Sequence, residues 1–547
     1  MSRAATVVVR LAAALAAALA AAGFSPPPAD DGTDAVAALA GLRTIPEQSD
    51  HARTSTSADV DAFVARCVAA SPRLVRGSLA TTSQGRDVPW VLVAEPPLPS
   101  LAAAAGSGRL TVLVFANIHG GEVEGKEATQ ALLREFAQGG HAELLERLAI
   151  VFVPNLNADG NDAIDRKNRP DQNGPVEGVG QRANGQGLDL NRDCMKLASP
   201  EIGGLVAAVN EVDAALVMDL HTTDGSFHGY ELTYAAPLHP ATEPALLAFG
   251  RDQFLPALRT AMAERGYATY DYGDFADANA PEKGWFTFDC RPRFCTNYFG
   301  LQNRLTLLSE AYSHEPFAVR IAATREFVLA ALHFVAERAA ALRALRTAAD
   351  AAALRLAADA TPVPLRGAHE VTRAADPVLV GACRSEKDAV TGLDRVIDIG
   401  DARAVAMDAH VSFAGREPAL LPPLGYALPG ASAEVEALLR SHGLECERLA
   451  APTRGHGERF AITQRKESPR PFQGRTQVEL LGTRAPWSGE LPAGTLFVPS
   501  AQRLARLALL LLDPRGDDGL AAWDLLGTLP GEGGSFAVLA IAARGER

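Results

Sequence analysis

The sequence predicts an α/β fold: a mixed, mostly parallel sheet with helices on both faces, followed by a C-terminal β-rich accessory domain. Three observations predict it. Apolar runs at 110–116, 149–153, 214–220 and 304–308 read as buried strands with helical patterns between them, and that alternation implies a sheet covered on both faces. His119, His221 and Glu310 stand just beyond three of these runs, where open α/β sheets place their sites. After residue 365 the chain changes to short alternating runs with frequent Pro and Gly, the pattern of a β-rich domain.

The elements follow in order. Met1-Ser2-Arg3 and Arg10 form a basic start, 11–22 is a short Ala/Leu run, and Pro26-Pro27-Pro28 follows. Residues 1–22 therefore read as a signal peptide, too short to span a bilayer comfortably, and imply an exported protein, periplasmic or extracellular. Residues 23–50 are a lead-in segment. In 57–70, Val60, Phe63, Val64 and Val68 recur at helical spacing behind Ser/Thr capping candidates. Strands at 74–80 and 88–94 are joined by the turn cluster 83–87. Helices are expected at 122–137, 141–148 and 242–265, and an Ala-rich helical stretch at 316–358. Between them lie a long polar loop, 154–192, and an irregular segment, 270–300. Loops of such length inside a domain are often functional. Pro362 and Pro364 mark a boundary between an α/β domain at 51–358 and the accessory domain at 365–547, where helices are expected at 432–442 and 500–512.

Composition narrows the function classes. The chain has 547 residues, 47% hydrophobic and 21% charged, which suits globular domains rather than disorder. A net charge of −13 argues against a nucleic-acid binder, which needs a basic face. No later run is long enough for a membrane span. Six cysteines (67, 194, 290, 295, 383 and 446) suit an exported chain, and Cys290 and Cys295 are close enough to pair.

His119-Gly120-Gly121-Glu122 follows the strand 110–116 directly. A His at a strand end and a Glu at a helix start can point two ligands into one crevice. Alone the pattern is common, and a turn with a capping carboxylate would explain it. His221 closes another buried run and supplies a third ligand, leaving a fourth position for water. Asp189 and Asp219 lie where they can accept the second N–H of the ligating rings. His410, His442 and His456, in the accessory domain, are read as structural.

The run Arg182-Ala183-Asn184-Gly185-Gln186-Gly187-Leu188-Asp189-Leu190-Asn191-Arg192, together with 119–122, Asp219-Leu220-His221 and Ser309-Glu310, resembles the zinc carboxypeptidase family. The resemblance covers roughly residues 50–335. It implies one Zn2+ per chain held by His119, Glu122 and His221, a ligand type for which this family is itself a standard example. It further implies that Asn191 and Arg192 grip the substrate's terminal carboxylate. Arg182 would stabilise the oxyanion and Glu310 would act as general base. Arg166 and Arg169 are alternative oxyanion residues, because the loop before Asn191 is short for the family. The family's mobile tyrosine has no clear counterpart: Phe288 and Trp285 occupy its region, and Tyr298 is too close to Glu310. The segment 285–300 should build the specificity pocket, where Arg291 and Arg293 either select an acidic side chain or pair with structural acids.

The expected function is an exported zinc metallocarboxypeptidase that hydrolyses the amide next to a free C-terminal carboxylate with zinc-activated water. Its partner is a peptide or peptide-like substrate. One alternative is an amidohydrolase of peptidoglycan stem peptides or N-acyl amino acids on the same site. Another is a non-catalytic peptide- or glycan-binding protein on this fold.

Overall fold

Eight strands make the central sheet of the computed structural model, which describes residues 39–223, 225–527 and 529–545. They are β1 (Leu74–Thr81), β2 (Asp87–Val93), β3 (Leu110–Ala116), β4 (Leu148–Val153), β5 (Leu216–Thr222), β6 (Leu232–Ala235), β7 (Thr269–Asp271) and β8 (Leu305–Ala311), in the order β1-β2-β4-β3-β5-β8-β6-β7. The four central strands, β4, β3, β5 and β8, run parallel. The β1–β2 hairpin joins antiparallel to β4, and β6 joins antiparallel to β8. Every residue of the four central strands is buried, as expected of parallel strands covered on both faces. The mixed, mostly parallel sheet predicted from the sequence is present. The signal peptide expected at 1–22 lies outside the described residues.

Seven helices matter to the argument: α1 (Ser57–Ala70), α2 (Glu124–Ala137), α3 (Pro200–Glu211), α4 (Cys295–Leu301), α5 (Phe317–Glu337), α6 (Ala339–Arg355) and α7 (Ala505–Leu512). α1 starts at a reciprocal capping box between Thr56 and Asp59. It turns Val60, Phe63 and Val64 onto the sheet face lined by Val112 and Val114, beside Phe136 of α2 and Phe327 of α5. The opposite face, which includes Leu113 and Val217, packs against Leu205 of α3, Phe299 of α4 and the leucines of α7. Part of the cover of that second face thus comes from beyond residue 500.

Several elements differ in extent from expectation. The helix expected from 122 begins at Glu124, and the one expected at 141–148 shrinks to Ala142–Leu145 because the strand takes over at Leu148. A π-helical turn at Gly250–Phe254 interrupts the helix expected at 242–265. The last region is β-rich, including the long hairpin of β9 (Thr453–Glu467) and β10 (Val478–Leu491) in a six-stranded sheet. The short strand Trp285–Phe286 pairs with Ala409 and His410, stitching 270–300 to this region. No helix among the described residues is long and apolar enough to cross a membrane.

Leu113, Leu205, Tyr426 and Leu507 belong to one continuous buried cluster. Heat should therefore unfold the chain in a single cooperative transition. Two well-separated calorimetric transitions would contradict a shared core.

Candidate active site

The turn after β3 is built for close backbone contact. A Cβ on Gly120 would lie 2.3 Å from the carbonyl carbon of Gly160, and one on Gly121 would lie 2.6 Å from the carbonyl oxygen of Gly180. Only glycine lets the loop 154–192 rest directly on this turn. Asn157 fastens the contact, its Nδ2 donating to the carbonyls of Ile118 and Arg182 at 3.1 Å each. The long polar loop is thereby held against the end of the sheet, and Arg182 is carried to the mouth of the crevice.

His119, Glu122 and His221 meet at the bottom. His119 Nδ1 and His221 Nδ1 lie 2.9 and 2.8 Å from the two oxygens of Glu122, and one donor atom from each of the three residues falls within 4.8 Å of the others. The far side of each ring meets a carboxylate. His119 Nε2 lies 3.1 Å from Asp189 Oδ1. His221 Nε2 lies 2.9 Å from Asp219 Oδ1, but at an angle that leaves both atoms without a proper hydrogen bond. Two imidazoles and one carboxylate, with an acid behind each ring, form a donor set that fits zinc.

Electrostatics follow the burial. Burial alone would raise the Glu122 carboxyl, but His119, Arg169 and the hydrogen bonds of both rings hold it well below the usual carboxylate range. Burial would depress His221, yet Asp219 and Glu122 raise it well above an ordinary imidazole. Asp189 is likewise pushed up by burial and drawn down further by His119, Arg182 and Arg192.

A cavity of about 380 Å³ opens over the three residues, and Arg182, Asn191, Arg192 and Glu310 all line it. Glu310 stands in register with His221 on the neighbouring parallel strand, so both side chains leave the same sheet edge. Arg182 Nε donates to Asp189 Oδ2 at 2.9 Å while its side chain keeps 42% exposure. Asn191 Oδ1 accepts the Cys295 N–H at 2.9 Å, and the Arg192 guanidinium lies 4.1 Å over the Phe294 ring. The two alternative arginines part company. Arg169 donates to Glu122 Oε1 at 3.0 Å and to the carbonyls of Thr222 and Thr223, and Arg166 lines a separate hollow.

Other expectations are redrawn by the structure. Arg291 pairs with Asp289, and Arg293 forms a buried two-pronged pair with Asp518, so both arginines of the pocket segment are matched by acids. Trp285 is fully buried, and Tyr298 is buried with its hydroxyl 2.7 Å from His442 Nδ1. Phe288 does line the cavity, and so does Tyr272, which the sequence reading passed over. Phe472 was missed as well: it reaches the cavity from the β9–β10 loop, and no local pattern distinguishes it from any loop aromatic. The nearest sulfur to Cys295 is Cys194 Sγ at 2.7 Å rather than Cys290, and all six cysteines are free thiols.

Residues 60–202 match the zinc carboxypeptidase family. Carboxypeptidase D of Rattus norvegicus is 28% identical over 207 residues, covering 34% of this chain and 15% of that protein's length. Among solved structures, a metallo-carboxypeptidase from Pseudomonas aeruginosa in complex with (2-guanidinoethylmercapto)succinic acid aligns with a TM-score of 0.39 and 19% identity, over 53% of this chain and 70% of that one. Carboxypeptidase A from Helicoverpa armigera aligns with a TM-score of 0.40 and 13% identity, over 56% and 80%. The matched span 60–202 contains His119, Glu122, Arg182, Asn191 and Arg192, whereas His221 and Glu310 come from strands beyond it.

The glycine contact can be tested without any assay of activity. Gly120→Ala should cost about 3 kcal/mol, since the loop backbone must shift to admit the methyl group. The measurement is the midpoint of urea unfolding, and an unchanged midpoint would mean that the loop yields freely.

Proposed function

We propose that this chain is an exported zinc metallocarboxypeptidase, hydrolysing an amide bond next to a free C-terminal carboxylate. The observation that carries the reading is the convergence, in one cavity, of a His–Glu–His donor set, an adjacent strand-end glutamate and three residues suited to anion binding. The match of 60–202 to zinc carboxypeptidases supports it. The basic start and Ala/Leu run of 1–22 support export.

His119, Glu122 and His221 would hold the metal, with Asp189 hydrogen-bonded to the His119 ring and the Asp219 carboxylate lying behind His221 as a counter-charge. Zinc at such a site supplies a Lewis acid that polarises a carbonyl and makes water acidic near neutral pH. Arg192 and Asn191 bind the substrate's carboxylate, which sets the direction in which the peptide enters. Glu310 takes a proton from the attacking water and passes it to the departing amine nitrogen. Arg182, half exposed at the mouth and pointed by Asp189, donates to the oxygen of the tetrahedral species. Because water is the nucleophile, no Ser or Cys acyl-enzyme is formed.

Purified protein should carry one zinc per chain, and His221→Ala should lose it together with activity. Glu310→Gln should retain zinc and lower kcat about a thousandfold on a blocked dipeptide with a free carboxylate. Full activity in Glu310→Gln would remove it as the base. Release of amino acids only from cell-wall fragments, and none from ordinary peptides, would move the substrate to peptidoglycan stem peptides.

A further inference from the structure

The loop between β9 and β10 is positioned as part of the cleft rather than as a neighbour of it. Gln473 and Gly474 have φ of 51° and 73°, and Phe472 and Arg475 exchange backbone hydrogen bonds at 2.8 and 3.1 Å across them. This is a tight two-residue turn, and it fixes where Phe472 stands. Two contacts then dock the turn on the catalytic segments. Gln473 Oε1 accepts the N–H of Asp189 at 2.8 Å, the same Asp189 that meets His119 and Arg182. Arg293, held by Asp518, places its guanidinium 5.3 Å from the Phe472 ring and 5.0 Å from the Trp523 ring. The outcome is an aromatic side chain from residue 472 that lines the same cavity as His119 and Arg192.

We propose that Phe472 is a specificity-determining residue, forming with Phe288 the apolar wall that receives the side chain of the substrate's C-terminal residue. This rests on the carboxypeptidase reading given above. Charge supports an apolar rather than an acidic occupant, because Arg291 and Arg293 are matched by Asp289 and Asp518. A carboxylate entering there would meet arginines already neutralised by acids, one pair almost wholly buried, and would lie beside the Asp289 carboxylate that lines the same cavity. A flat apolar side chain would lose water against the rings at no such cost. The C-terminal β-rich region thereby takes part in substrate choice through one loop.

The test uses the full zinc-loaded chain and N-acylated dipeptides ending in phenylalanine or alanine. Phe472→Ala should lower the kcat/KM preference for phenylalanine over alanine about tenfold. The change should fall on KM for the phenylalanine dipeptide more than for the alanine dipeptide, with zinc content unchanged. Phe472→Leu should keep part of the preference, which controls for a misplaced loop. An unchanged preference, an equal loss on both dipeptides, or a wild-type preference for an acidic residue overturns the proposal. Calorimetric binding of both dipeptides to Glu310→Gln, with and without Phe472→Ala, reads the wall without turnover. If the wild type binds the phenylalanine dipeptide and cleaves neither, the hydrolase reading fails. The wall then stands only if Phe472→Ala weakens that dipeptide selectively. Absence of selective binding overturns it.

Discussion

Glu122 carries a carboxylate that is only 3% exposed, and a charge so placed must be compensated by partners fixed in space. His119 comes from its own turn, His221 from the next strand, and Arg169 from the long loop. The Thr222 N–H adds a fourth donor at 3.2 Å. Three chain segments far apart in sequence are thus committed to one pair of oxygens. The convergence that suits a metal ion is the same convergence that a buried carboxylate demands.

This arrangement depends on backbone packing that side chains could not provide. The loop 154–192 would carry costly unsatisfied polar groups if it were merely folded over the sheet. It is tolerated because Gly120, Gly121 and Asn157 let it share hydrogen bonds with the turn beneath it. Asp189 and Arg182 travel with that loop and so reach the rim in fixed positions. Around them the acids and arginines alternate: Asp189 with Arg182, Asp289 with Arg291, Asp518 with Arg293. The cleft is rich in charge yet nearly balanced, which leaves aromatic rings as its distinguishing surface.

Much of the architecture was legible in the sequence because burial on both faces forces a plain signal. β3, β4, β5 and β8 read as apolar runs, and each forms a central parallel strand. Boundaries were less legible where two elements compete, as at Leu148, which joins the strand rather than the preceding helix. The π-helical turn at Gly250–Phe254 leaves no mark in the hydrophobic pattern, since its neighbours keep helical spacing. Cys290 and Cys295 are neighbours in sequence, yet the short helix beginning at Cys295 turns its sulfur toward Cys194.

What the sequence determined by itself is which side chains meet on the crevice floor. His119, His221 and Glu310 lie at or just beyond strand ends and Glu122 in the turn that follows one, and strand ends in a parallel sheet share one edge, so local pattern and topology together predict their meeting. The tertiary structure alone decided the walls. Tyr272, Phe472, Gln473 and Asp518 reach the site from irregular segments whose positions depend on how distant surfaces pack. It also decided the fate of the arginines, because an ion pair such as Arg293 with Asp518 spans 225 residues and has no period for a sequence to display.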